Sequence, residues 1–123
     1  METALTHVQT FPQTYPLVQE HIGEIYIPDS ALKELGNTDV FVHLKDGREL
    51  GFTVFALPNI QQLMNQNALE AFVAPGMLVV TRVTWDAIFC ALEECLRLSV
   101  GGGYSLEHFG ILQTGADAEE PIA

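Results

Sequence analysis

The clearest signal in the chain is a pair of alternating runs joined by a turn. Val40, Val42 and Leu44 alternate with Phe41, His43 and Lys45; after Asp46-Gly47, Leu50, Phe52 and Val54 alternate with Glu49, Gly51 and Thr53. Period two marks a strand with one buried face. The two patterns together also set the turn. A two-residue loop at Asp46-Gly47 pairs Val42 with Gly51 and puts the apolar rows on opposite faces. A three-residue loop, Lys45-Asp46-Gly47, pairs Leu44 with Arg48, Val42 with Leu50 and Val40 with Phe52, and both rows then share a face. This spacing predicts a type I turn followed by a left-handed Gly47. It also sets Phe41 across from Gly51.

A second pattern has helical spacing. Trp85, Ile88, Phe89, Leu92, Cys95, Leu96 and Ser99 form one stripe, with Asp86, Glu93, Glu94 and Arg97 on the other side. With Thr84 as N-cap, the stripe predicts a helix over 85–98, ended by Gly101-Gly102-Gly103. The remaining elements are shorter. A first strand is expected over 22–27 and closed by Pro28, followed by a short helix from Asp29 or Ser30 to Leu35. Asn59 and Gln62 have capping-box spacing for a helix through Asn67 that buries Ile60, Leu63 and Met64. Residues 69–73 fit a helix end or a short strand equally. The run 77–83 is apolar on both faces and reads as a central, doubly covered strand; 106–112 reads as the last strand.

Residues 1–20, with Pro12 and Pro16, read as an extended N-terminal arm, 21–113 as one domain, and 114–123 as a disordered acidic tail. The order β-α-β-β-α-β-α-β predicts an α+β fold: a mostly antiparallel sheet of four to six strands with two or three helices packed on one face.

Composition narrows the function classes. The 123 residues are 48% hydrophobic, enough for a core without disulfides or metals. The formal net charge is −11 because cations are scarce: 16 Asp and Glu stand against 5 Lys and Arg. Phosphate neutralisation needs clustered Lys and Arg, so nucleic acid and anionic membranes are poor partners. A basic protein is an electrostatically allowed one. No apolar run reaches the roughly 18 residues of a membrane span. The first residues lack a basic segment and an apolar core of the signal-peptide kind, so the cytoplasm is the expected compartment. Cys90 and Cys95 point about 140° apart on a helix and do not form a CxxC motif; Cys95 is expected buried and Cys90 partly exposed.

No motif for catalysis, phosphate or metal binding is present. The glycine run follows a helix, whereas phosphate loops follow a strand and open a helix. His7, His21, His43 and His108 fall in no ligand spacing, and no cofactor or metal is implied. His43 opposite Glu49 is a carboxylate–imidazole pair, and also an ordinary cross-strand polar pair. Glu93-Glu94 reads as a solvated helix face. Bacterial immunity proteins and phage inhibitors share this size and charge, but no residue motif links them to this chain. The expectation is a non-enzymatic binding protein acting through a protein–protein surface, inhibitor-like or immunity-like, with a basic partner. A homodimer is expected through Phe41, Phe55 and Tyr26, the apolar side chains left over on the outer sheet face. The rival is a small-molecule binding domain or small enzyme with a pocket between sheet and helices, lined by Tyr26, His43, Trp85, Tyr104 and His108.

Overall fold

A computed structural model describes residues 7–28 and 34–113 of the chain. Its centre is the hairpin formed by β3 (Asn37–Leu44) and β4 (Glu49–Ala56). Val40 pairs with Phe52, Phe41 with Gly51, Val42 with Leu50 and His43 with Glu49, the register of the three-residue loop. Gly47 closes that loop at φ 101° and donates its N–H to the Leu44 carbonyl at 3.0 Å.

β2 (Ile22–Tyr26) pairs antiparallel with β3, and β1 (His7–Val8) pairs antiparallel with β2. The far side of β4 is shared. Its Thr53–Ala56 half pairs in parallel with β5 (Met77–Val80), and its Glu49–Gly51 half pairs antiparallel with β6 (Ile111–Gln113). The fold is α+β, a six-stranded open sheet that is antiparallel except at the β4–β5 pair.

Two helices, α1 (Pro16–His21) and α3 (Trp85–Gly102), pack on one face. Val18, Ile88, Phe89, Leu92, Cys95 and Leu96 join Ile22, Ile25, Val40, Val42, Leu50, Phe52 and Val54 in one buried cluster. Each such aliphatic or aromatic side chain contributes about 1.5–3 kcal/mol relative to exposure. Thr84 caps α3, its hydroxyl accepting from Ala87 N–H at 3.1 Å. Between β4 and β5, α2 (Leu57–Gln66) buries only Ile60 and adds nothing to this cluster.

Several expectations are corrected. The stretch 1–20 is not an extended arm over the residues described: 7–8 form a strand and 16–21 a helix. Phe11, Tyr15 and Leu17 pack against the core, the first two with their rings against Phe89. Pro16 was no obstacle, because the first helical position needs no N–H partner. The Leu17 and Val18 N–H groups donate to the Glu93 carboxylate at 3.1 and 2.9 Å. Glu93 therefore satisfies the orphan donors of α1 instead of lying on a solvated face.

The run 77–83 is not a central strand. It is an edge strand of four residues, half-exposed at Val79, and only the later Val83 is fully buried. Helix α2 starts at Leu57, with Pro58 in its first turn, two residues before the expected cap. Residues 69–73 are neither helix nor strand. Helix α3 runs through Gly101 and Gly102 and stops at Gly103, φ 84°. The expected last strand divides into a 3-10 turn, Leu106–His108, and β6. The short helix expected over 29–35 lies mostly outside the described residues, with Glu34 and Leu35 in a turn. The tail 114–123 also lies outside them.

Candidate functional site

The pocket expected between sheet and helices is filled. The space bounded by Ile22, Val42, Leu50, Phe52, Leu92, Cys95 and Leu106 amounts to about 10 Å³, one water at most. Its thiol, Cys95, is pushed up to about 11, first by burial and then by the Glu94 charge.

The five residues proposed to line that pocket are not brought together. Tyr26 and His43 stand on the outer face of the sheet. Trp85 is half-buried at the start of α3, its ring 5.8 Å from that of Phe89. Tyr104 and His108 meet each other beyond the end of α3, rings 6.3 Å apart and perpendicular. The His108 Nδ1 accepts the Ser105 N–H at 3.3 Å in a local cap, which gives that imidazole a structural task. His43 Nε2 lies 3.6 Å from a Glu49 carboxylate oxygen, both on the open sheet face. Their side chains are 48% and 31% exposed, so water reaches the pair as it reaches an ordinary cross-strand contact. Among the described residues no cluster of three or more His, Cys, Asp or Glu could hold a metal ion, and no helix is long and apolar enough to cross a membrane.

Two surfaces remain. The first is the sheet face that α1 and α3 leave uncovered. Register places His7, Tyr26, Phe41, Gly51 and Ile111 in one row across five strands. The rings form a ladder: His7 to Tyr26 is 4.5 Å, Tyr26 to Phe41 is 6.4 Å, and the Phe41 ring reaches over Gly51. A second row holds Glu24, His43, Glu49 and Gln113, and Asp39 follows beside Thr53 and Met77. Glu24 binds His7, and Asp39 accepts from the Thr53 hydroxyl at 3.2 Å.

No paired position on this face is Lys or Arg. Lys45 donates to the Gln19 carbonyl, and Arg48, Arg82 and Arg97 pair with Asp46, Glu34 and Glu94. Of the three interface candidates, Tyr26 and Phe41 lie on the face half-buried. Phe55 does not serve there: it is 6% exposed, capped edge-on by Phe72 at 5.1 Å. Phe72 comes from the stretch between α2 and β5, and no local pattern marks it as Phe55's cover.

The second surface is a groove of about 470 Å³ between β5 and α3, lined by Val80, Thr81 and Arg82 on one side and Asp86, Ala87 and Cys90 on the other. Tyr15 closes one end, donating its hydroxyl to Asp86 at 2.6 Å. That bond, with the Asp86 charge, holds the Tyr15 phenol at about 12. Sequence reasoning missed this pair, since 71 positions separate its members. Cys90 is exposed and unpaired. No protein-family model matches the chain, and no curated protein and no solved structure matches it either.

Proposed function

We propose that this chain is a non-enzymatic protein-binding module whose uncovered sheet face takes a basic partner. The observation that carries the reading is the composition of that face. An antiparallel sheet with helices on one side normally turns polar residues to water on the other. Here Tyr26, Phe41, Met77, Val79 and Ile111 face outward, Val79 and Ile111 at 47% and 45% exposure. An aromatic and aliphatic centre is what a protein interface supplies. Glu24, Asp39 and Glu49 surround it with no cation among the paired positions, so a partner with Lys or Arg around an apolar centre is complementary.

The test is a pull-down at moderate salt with the wild type and with Phe41→Lys, a half-buried position on that face. A basic protein retained by the wild type, released by raised salt and lost with Phe41→Lys is the expected result. Recovery that ignores the substitution, or turnover of a metabolite by the purified chain, refutes the reading.

A further inference from the structure

We infer that the free edge of β5 is a self-pairing edge, along which two copies of this chain join antiparallel about a two-fold axis at Val79. The pairing does not rest on the partner proposed for the sheet face, although Met77 and Val79 border both surfaces. In the parallel β4–β5 ladder, Thr53 N–H donates to the Gly76 carbonyl at 2.9 Å while Thr53 stands opposite Met77. Strand alternation then turns the N–H and C=O of Met77 and Val79 away from β4, and Thr81 begins the bend that follows the strand. No backbone or side-chain group among the described residues pairs with them. Unpaired strand edges are templates for another strand, and proteins protect them with Pro, Lys or charge. Met77-Leu-Val-Val-Thr81 carries none of these; the first charge is Arg82.

The outward groups are self-complementary. With the axis at Val79, each Val79 exchanges both backbone hydrogen bonds with its copy, and Met77 stands opposite Thr81, the first residue after the strand, of the second chain. The helix side accommodates this. Leu78 and Val80, half-buried beneath α3, then meet each other's copies along the groove. The α3 face above the groove is built from Ala87, Cys90 and Ala91, small enough for two such helices to approach, with Asp86 at the end held by Tyr15. On the outer side Val79, half-exposed in one chain, is covered by its copy. The pairing also ends itself. The other free edges, β1 with two residues and β6 with three among the described residues, are shorter than β5, and a two-fold pairing uses the β5 edge of both copies, so the assembly closes as a dimer rather than a fibre.

The experiment is light scattering coupled to size exclusion on the full chain over a tenfold concentration series. The expected mass is twice 13.5 kDa for the wild type. Val79→Pro removes an outward N–H without touching the β4 ladder, and Val79→Lys puts a charge on the edge. Both should halve the mass with an unchanged far-UV circular dichroism spectrum, and Val79→Lys decides the matter if the proline perturbs folding. Phe41→Lys, on the open face, should leave the dimer intact. A wild-type mass of one chain throughout, a mass above two chains, a dimer that survives Val79→Lys, or one that dissociates with Phe41→Lys overturns the inference.

Discussion

Gly110→Ala is a severe test of how tightly this core is packed. Gly110 is buried just before β6, and its backbone lies on the Phe52 ring. A Cβ built there would sit 2.6, 2.8 and 3.0 Å from the Cζ, Cε1 and Cε2 atoms of that ring. Carbon contacts are optimal near 3.5–4.0 Å, so the ring has to move by about an ångström. It cannot move freely, because Phe52 is 3% exposed and the space below it is the void of about 10 Å³ described above. Overpacking of this kind costs about 1–3 kcal/mol. Gly110 is not among the positive-φ glycines, so alanine also gains about 0.4–1 kcal/mol by restricting the unfolded chain. The net expectation is a loss of about 1–2 kcal/mol.

Urea unfolding followed by tryptophan fluorescence reads this as a lower midpoint at constant slope. A double-mutant cycle with Phe52→Leu, which shortens the offending side chain, should show Gly110→Ala costing at least 0.5 kcal/mol less in that background. A neutral or stabilising Gly110→Ala, or a cost that Phe52→Leu leaves unchanged, refutes the reasoning.

Three further outcomes are expected. Gly47 has φ 101° and open space around its Cα, so Gly47→Val should destabilise through backbone strain alone, by about 1 kcal/mol or more, and an unchanged urea midpoint would deny it. Tyrosinate absorbance should show Tyr15 titrating near 12 instead of 10, and Asp86→Ala should bring it back toward 10. Because the folded value is the raised one, the bond's contribution to stability is complete below pH 10 and is lost as pH rises through about 12. With a coloured disulfide reagent at neutral pH, the folded protein should react at exposed Cys90 and spare Cys95, whose thiol is buried and held near 11; both should react in urea, and equal native rates would contradict this burial.

What the sequence determined by itself was local and periodic. Alternation across residues 40–54 specified the hairpin, its loop length and its shared core face, because a one-residue slip would turn every buried side chain to water. The stripe at 85–96 specified which side of α3 is buried, because side chains three and four positions apart share a helix face. Tertiary structure decided the rest through contacts whose members are far apart in the chain. The run 77–83 carries no mark of its place in the sheet: an apolar strand reads the same at the centre and at the edge, and β5 is an edge because no strand among the described residues lies on its outer side, while β6 pairs with the other half of β4. Helix α1, too short to hold itself, exists where Glu93 receives its first N–H groups and Val18 finds the core. Phe55 reads as an outward side chain in the hairpin pattern and is covered only because the path after α2 brings Phe72 back over it. The open aromatic row and the free β5 edge belong to this second class, since each depends on which strand neighbours which.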